Sequence, residues 1–360
     1  MLLDFPLQNK RTEISAIGEF GLINRIREIV DVHVDDATVH DNLIKGIADD
    51  AAVYRPSIGK VQLFTTDGLV EGVHFDLTFT SMKHLGWKAM AANLSDIAAM
   101  GGIPRYATVM LSLPQKISVE MVEEFYSGIA FACKKYSCLL VGGDTTNSLS
   151  NMTVAVTLIG EAIEQKIIYR TGAKPGDYLC VTGHLGASLA GLKVLQREKQ
   201  RYASFAGSED FQPNLQLYTS VIEKHLMPKP RLDISKILTE NVRVNAMIDI
   251  SDGLASEVYH LCEAGGVGAV VYEHNLPVDI VTQTVASEFS DNITDYALYG
   301  GEEYELLFSI SKEEYANLEP LTNDVTIVGK IIEKEKGVEL VRENGEHEDL
   351  HAGGWNHFKP

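Results

Sequence analysis

The chain has 360 residues, of which 45% are hydrophobic and 22% charged, as in an ordinary globular protein that is long enough for two domains. Its 50 acidic residues outnumber its 31 basic ones, and the net charge of -19 argues against nucleic acid or an anionic membrane as a partner. No apolar run approaches the ~18 residues of a membrane span. The N-terminus lacks the basic start and apolar core of a signal peptide and the four cysteines form no Cys-x-x-Cys pair, so we expect a reduced, cytoplasmic protein.

Strands and helices alternate along the chain, which predicts an α/β (or α+β) protein with mixed sheets flanked by helices. In the first half we expect helices at 18–30, 84–100 and 118–136 and strands at 52–54, 59–65, 106–113 and 152–160, the first two strands being paired. In the second half we expect a strand, a glycine turn (Gly183-His-Leu-Gly186) and a helix, then strands at 247–250, 268–273, 305–310 and 325–328 and a helix at 254–264. A turn-rich segment at 166–177 follows the boundary between the two predicted domains, 1–164 and 165–360.

Three apolar segments are each followed by a carboxylate beside glycine, where we expect a strand to end. They are Val61-Gln-Leu-Phe-Thr-Thr-Asp-Gly68, Leu139-Leu-Val-Gly-Gly-Asp-Thr-Thr146 and Ala246-Met-Ile-Asp-Ile-Ser-Asp-Gly253. A further carboxylate, Asp96, lies in a helix whose other faces are almost all apolar, so that it must pair, be protonated or bind a cation. Taken singly, such acids are more often caps, turn residues or ion-pair partners, but together they favour a shared metal site.

The kind of metal follows from the kind of ligand. Carboxylate oxygens without Cys or His spacing favour Mg²⁺ over zinc, and Mg²⁺ in proteins commonly also binds substrate phosphates. The usual nucleotide fingerprints, G-x-x-x-x-G-K-[ST] and the protein-kinase motifs, are missing. The residues alone therefore predict an Mg²⁺-dependent, phosphate-handling α/β enzyme.

An ordered series of motifs across residues 18–358 resembles the thiamine-monophosphate kinase family. The series is Gly46-Ile-Ala-Asp-Asp-Ala-Ala-Val, Thr65-Thr-Asp-Gly-Leu-Val-Glu-Gly-Val-His-Phe75, Asn93-Leu-Ser-Asp-Ile-Ala-Ala-Met-Gly101, Gly142-Gly-Asp-Thr-Thr146, Arg170-Thr-Gly-Ala-Lys-Pro-Gly-Asp177, Ile248-Asp-Ile-Ser-Asp-Gly253, Gly300-Gly-Glu-Glu-Tyr-Glu-Leu-Leu-Phe308 and Gly354-Trp-Asn-His-Phe358. The family is related to aminoimidazole ribonucleotide synthetase, and the resemblance implies that two-domain fold. It also implies a homodimer in which N-terminal domains join their sheets, with ATP between the two domains of a chain.

The resemblance implies ATP-dependent phosphorylation of thiamine monophosphate to thiamine diphosphate, by direct transfer with several Mg²⁺ ions. Carried over by motif, the Mg²⁺ ligands are Asp49, Thr66, Asp67, Asp96, Asp144, Asp249 and Asp252, and Asp67, Asp144 and Asp249 are the catalytic set. The implied ATP contacts are Thr65, Tyr136, Gly143, Asp144, Arg170 and Ser251. The implied thiamine-side residues are His74, Glu302 and Trp355. The chain departs from the family pattern at Ala48, Asn147 and Glu303.

Plainer interpretations remain open for several of these residues. His74 fits a core histidine, Trp355 a packed tail, and Arg170 a solvated hinge, although a fixed guanidinium suits a phosphate tail. Gly183-His-Leu-Gly186 fits close helix–strand packing or a phosphate cradle. For the whole chain the alternatives are another ATP-using enzyme of the same superfamily and a non-catalytic, acidic cation-binding protein.

Overall fold

The computed structural model describes residues 11–47, 50–204, 213 and 215–354, and the chain divides into two compact units. One unit comprises Met1–Arg55, Thr66–Met90 and Arg105–Leu158. The other comprises Pro56–Thr65, Ala91–Pro104 and Ile159–Pro360. We call these the first and the second unit.

The first half of the chain contains helices and strands in alternation. The helices are α1 (Ile14–Val30), α2 (Ala37–Asn42), α3 (Met82–Ala99) and α4 (Val119–Tyr136). The strands are β1 (Leu43–Lys45), β2 (Val53–Tyr54), β3 (Val61–Val70), β4 (Ile103–Pro114), β5 (Leu139–Ser148) and β6 (Thr153–Ala162). Helix α4 begins as predicted, because the Ser118 hydroxyl accepts a hydrogen bond from the backbone N–H of Met121.

A four-stranded sheet in the order β3-β6-β4-β5 organises this half of the chain. Strand β6 alternates between buried Val154, Val156 and Leu158 and the more exposed residues between them, as expected of a sheet with one covered face. The other side carries Thr108, Met110, Ala155 and Thr157, and we call these four residues the open face. Strands β4 and β5 run parallel, with Met110 opposite Asp144.

The second half of the chain is built on a seven-stranded mixed sheet in the order β13-β12-β9-β11-β7-β10-β8. Its strands are β7 (Tyr178–Thr182), β8 (Val244–Ile250), β9 (Gly268–Tyr272), β10 (Glu305–Ile310), β11 (Val325–Ile332), β12 (Val338–Val341) and β13 (His347–Asp349). The helices are α5 (Ala187–Ser204), α6 (Thr219–Leu226), α7 (Leu232–Asn241), α8 (Leu254–Gly265), α9 (Ile280–Phe289), α10 (Ile293–Tyr299) and α11 (Lys312–Leu318).

Helices cover both faces of this sheet, because its strands are apolar on both sides. Ile248 and Ile250 pack with Val258 of α8 in one core cluster. Met247 packs on the opposite side with Leu238 of α7, in a second cluster that includes Ala98 of α3. The predicted fold class, with mixed sheets flanked by helices, is confirmed.

Two local predictions were wrong. Strand β2 pairs antiparallel with β1, not with the strand that follows it. The strands also do not end before their aspartates: β3 continues past Asp67 and β5 past Asp144. Pairing with a neighbouring strand satisfies the backbone there and outweighs the local turn preference of glycine. None of the described helices has the length and apolar character needed to cross a membrane.

Candidate active site

In the second unit, two consecutive residues of helix α3 form hydrogen bonds with two of the predicted site residues. The Thr65 hydroxyl donates a hydrogen bond to Oδ2 of Asp96. The neighbouring Ser95 hydroxyl donates to Oδ2 of Asp249 at 2.7 Å. One turn of α3 therefore brings together the predicted residues Thr65, Asp96 and Asp249.

Asp249 reaches this position because side chains alternate along strand β8. Met247 and Asp249 point to the same face of the sheet, and Met247 already packs in the cluster that contains Ala98 of α3. The Asp249 side chain is only 4% exposed. Because a buried carboxylate is costly without hydrogen bonds or a cation, this position is suited to a metal ligand.

The loop after β8 holds the next two candidates, Ser251 and Asp252, around a buried carboxylate. Oε1 of Glu257 accepts the backbone N–H of Asp252 at 3.2 Å and the Ser251 hydroxyl at 3.5 Å. Burial raises the pKa of Glu257 to about 7, and the charge of Asp252 acts in the same direction. The charge of Arg170 lowers that pKa, so the guanidinium lies within electrostatic range of this loop.

Arg170 is held beside the same strand by its neighbour. The carbonyl of Tyr169 accepts the backbone N–H of Met247 at 2.9 Å. Arg170 itself is exposed, which leaves its guanidinium open to an anionic ligand.

In the first unit, Gly143 and Asp144 open onto the four-stranded sheet. Both are exposed, and with the open face they line a depression of about 320 Å³. A Cβ at Gly143 would lie 2.1 Å from the carbonyl oxygen of Val109, so only glycine fits this strand position. The backbone of Gly143 is thus accessible to a ligand beside the Asp144 carboxylate.

Thr66 and Asp67 lie side by side on β3, also in the first unit. The Thr66 hydroxyl donates to the carbonyl of Val156 at 3.0 Å and accepts from the Thr157 hydroxyl at 3.2 Å. Asp67, the next residue, points to the opposite side of the strand and is half-buried.

His74 is fixed in the turn that follows β3. Its Nδ1 accepts the backbone N–H of Val70 at 3.0 Å, so that in the neutral ring the hydrogen is on Nε2. Its carbonyl accepts Nζ of the buried Lys88 at 3.3 Å. Tyr136, at the end of α4, packs on Trp87 with 5.8 Å between ring centroids.

Glu302 belongs to the loop between α10 and β10, in the second unit. Its backbone N–H donates to the carbonyl of Ser251 at 2.6 Å, so it lies directly beside the loop that follows β8. Its φ of 60° is in the left-handed region, which non-glycine residues rarely adopt and which often marks functional loops.

The candidates thus fall in two groups. The first unit holds Thr66, Asp67, His74, Tyr136, Gly143 and Asp144. The second holds Thr65, Asp96, Arg170, Asp249, Ser251, Asp252 and Glu302. Asp49, Trp355 and the departure at Ala48 lie outside the described residues.

The described donors have the right chemistry for Mg²⁺, since they are carboxylate and hydroxyl oxygens. Within the described ranges, however, no three His, Cys, Asp or Glu residues converge closely enough to hold a metal ion by themselves.

Sequence reasoning missed the roles of Ser95 and Glu257. Ser95 lies within the motif Asn93-Leu-Ser-Asp96, and Glu257 lies one turn into α8, where it resembles an ordinary first-turn acid. The sequence shows that Ser95 is next to Asp96 and that Glu257 follows Asp252 by five residues. It does not show which side chains the two residues contact.

The glycine turn before α5 is close packing. A Cβ at Gly183 would lie 2.5 Å from Oε1 of Glu305, and Oε1 of Glu303 already accepts the backbone N–H of Ser188 at 3.0 Å. The protein's own carboxylates occupy the positions that a phosphate cradle would need.

Two family models match the chain. Residues 48–162 match AIR synthase related protein, N-terminal domain, and residues 174–342 match AIR synthase related protein, C-terminal domain. The fold and the oxygen-rich site therefore define a two-domain protein of the AIR synthase related type.

Relatives of nearly equal length narrow this class. The chain is 35% identical to the thiamine-monophosphate kinase of Bacillus subtilis, over 95% of this chain and 100% of that one. It is similar in structure to AaThiL complexed with AMPPCP and TMP, with a TM-score of 0.72, 33% identity, and coverage of 96% of this chain and 99% of that one. For the thiamine-monophosphate kinase of Stenotrophomonas maltophilia the TM-score is 0.76 at 31% identity, with coverage of 92% and 98%. The chain belongs to the thiamine-monophosphate kinase family, which confirms the predicted family.

Proposed function

We propose that this protein transfers the γ-phosphoryl group of ATP to thiamine monophosphate and so makes thiamine diphosphate. The observation that most supports this proposal is a pair of hydrogen bonds made at α3. Thr65 donates to Asp96, and Ser95 donates to Asp249, beside the loop of Ser251. The family supports the reaction, and the AaThiL complex with AMPPCP, an ATP analogue, and TMP supports both substrates.

The magnesium ligands we propose are Asp49, Thr66, Asp67, Asp96, Asp144, Asp249 and Asp252. When bound, Mg²⁺ neutralises phosphate charge and fixes the geometry of transfer. The net charge of -19 makes such neutralisation necessary, because the protein would otherwise repel a nucleotide. Asp67, Asp144 and Asp249 are the catalytic set in this proposal.

The remaining candidates bind and orient the two substrates. Arg170 pairs with ATP phosphates, since a guanidinium matches phosphate oxygens bidentately. Gly143 offers backbone N–H, and Thr65, Tyr136 and Ser251 complete the ATP contacts. His74, Glu302 and Trp355 contact the thiamine side, where the Glu302 carboxylate complements the cationic thiazolium ring.

Transfer is direct, from ATP to the substrate phosphate, without a phosphoenzyme. Phosphoryl transfer requires mainly alignment and charge neutralisation, which the oxygen-rich site can supply. The departures at Asn147 and Glu303 leave this set of metal ligands intact.

We also propose the predicted domain boundary near residue 164, which the two family models support because one ends at 162 and the other begins at 174. A cytoplasmic location is supported by four buried cysteines that are not disulfide-bonded.

A homodimer is the assembly we propose, with the open faces of the four-stranded sheets pairing. Met110 on that face is 38% exposed, although it lies in the middle of a strand. Exposed apolar side chains on a sheet face favour burial against a partner of the same kind.

The test is product formation. Purified protein with ATP, Mg²⁺ and thiamine monophosphate is expected to release ADP and thiamine diphosphate in equal amounts, measured by chromatography. Release of ADP without thiamine diphosphate would favour another ATP-using enzyme of the superfamily. Absence of stabilisation by ATP plus Mg²⁺ in thermal unfolding would favour a non-catalytic cation-binding protein.

A further inference from the structure

Behind Glu302 lies a buried polar chain that the proposed reaction does not use. Nδ1 of His225, on α6, is 3.5 Å from Oε2 of Glu302. The same Nδ1 is 3.2 Å from the hydroxyl of Ser188, on α5. His225 and Ser188 are 4% and 1% exposed, whereas the Glu302 side chain is 26% exposed. His225 thus connects a half-buried carboxylate to the buried interior.

Close packing of two helices brings His225 to this place. A Cβ at Gly191 of α5 would lie 2.1 Å from the carbonyl oxygen of Val221 on α6, so the helices approach through the glycine. This close approach of the two helices places His225 of α6 next to Ser188 of α5. Its imidazole position is therefore fixed by backbone packing and has little freedom to follow Glu302.

The three residues that follow Glu302 are anchored as well. Glu303 accepts the backbone N–H of Ser188 at 3.0 Å, and Tyr304 donates its own N–H to the carbonyl of Ile250 at 2.8 Å. Glu305 accepts a hydrogen bond from Nη1 of Arg231 at 2.7 Å. Of the three glutamates in this run, Glu302 is the partly exposed one, and its backbone is left-handed.

We propose that His225 is a positioning residue that holds the Glu302 carboxylate in the orientation that receives the cationic ring of the phosphate-bearing substrate. The inference rests on the proposed function, which puts Glu302 on the thiamine side. A carboxylate fixed by a rigid partner loses less side-chain entropy on binding, so His225 contributes to substrate affinity without touching the substrate.

The experiment combines single and double variants. Glu302→Gln and His225→Leu are each expected to raise KM for thiamine monophosphate about tenfold, with kcat and the KM for ATP within about twofold, since one orienting contact typically contributes this much. His225→Asn keeps a nitrogen donor near the Nδ1 position and is expected to recover most of the affinity. His260→Leu, at an exposed histidine on α8, is the matched control and is expected to leave KM unchanged.

The double variant separates positioning from general damage. If His225 acts through Glu302, adding His225→Leu to Glu302→Gln raises KM no further. Additive effects, or an equal rise of KM for ATP, would overturn the inference while leaving the proposed function standing. If no thiamine diphosphate forms, the proposed function fails. In that case the same double-mutant cycle in urea unfolding still decides the contact, because additive changes in midpoint would refute it.

Discussion

Ser95 donates a 2.7 Å hydrogen bond to the carboxylate of Asp249, although 154 residues separate the two in the chain. Both side chains are buried. A helix from the first half of the chain thus fixes a carboxylate on a strand of the second half. A hydrogen bond of this kind fixes the orientation of the carboxylate.

The first prediction concerns this pair. Asp249→Asn removes a charge and little volume, so we expect the fold to persist. We expect kcat to fall by at least about a hundredfold, because loss of a residue that only hydrogen-bonds to a metal ligand already costs about ten- to a hundredfold. Ser95→Ala leaves the carboxylate in place without its donor and is expected to raise the Mg²⁺ concentration for half-maximal activity about tenfold. Steady-state rates over a magnesium series measure both. Turnover close to wild type in Asp249→Asn would refute its assigned role.

A second prediction follows from the glycine beside Asp144. In Gly143→Ala the new methyl group would lie 2.1 Å from the carbonyl oxygen of Val109, and strand pairing must shift to admit it. We expect a loss of about 3 kcal/mol in the free energy of unfolding, at the upper end of overpacking effects. Gly142→Ala is the matched control, because its methyl group would lie 3.5 Å from Cγ2 of Thr108, an ordinary contact. Urea titration compares the two, and equal midpoints would contradict the prediction.

The helices of the first half were predictable because their apolar residues recur at helical spacing. Helix α4 shows this best, since its cap at Ser118 could be read from the sequence as well. The strand ends were not predictable. Glycine beside aspartate signals a turn locally, but β3 and β5 obtain their backbone partners from distant segments and continue.

The site shows the same limit. Motif order identified Asp96 and Asp249, and the structure places Asp96 on α3 and Asp249, on β8, against the neighbouring Ser95 of the same helix. Nothing local marks Ser95 as the partner of Asp249, because that contact depends on how a helix packs against a sheet formed much later in the chain. The residue types were enough to predict the chemistry of the site. The hydrogen bonds that support these residues could be found only from the folded structure.

A third prediction tests the assembly. Met110→Lys places a charge in the middle of the open face, where pairing of two sheets would bury it. We expect the dimer dissociation constant to rise by about tenfold or more, since unpaired charges are poorly tolerated at the centre of an interface. Ile280→Lys is the control, because Ile280 is 73% exposed at the start of α9, in the second unit. Sedimentation velocity over a concentration series measures the mass of each. A monomeric wild-type protein, or a fully dimeric Met110→Lys, would contradict the proposed pairing.

The last prediction is a pH dependence of stability at Glu303, where the family pattern has aspartate. Burial raises the pKa of the Glu303 carboxyl to about 7 from its ordinary value of 4.5. Below pH 4.5 the group is protonated in both states and costs nothing. As the pH rises from there to about 7, the unfolded chain releases this proton before the folded one does, and the free energy of unfolding falls.

Glu303→Gln removes this titration. We therefore expect the variant to gain stability relative to the wild type between pH 5 and pH 8, by on the order of 3 kcal/mol at most. Glu313→Gln is a control of opposite sign, because the backbone amide of Glu313 and the Ser311 hydroxyl lower the pKa of that carboxyl. That variant is expected to lose stability relative to the wild type at neutral pH and to match it in acid. Urea unfolding at several pH values gives both differences, and a difference for Glu303→Gln that does not change with pH would show that the Glu303 carboxyl has the same pKa in the folded and the unfolded protein.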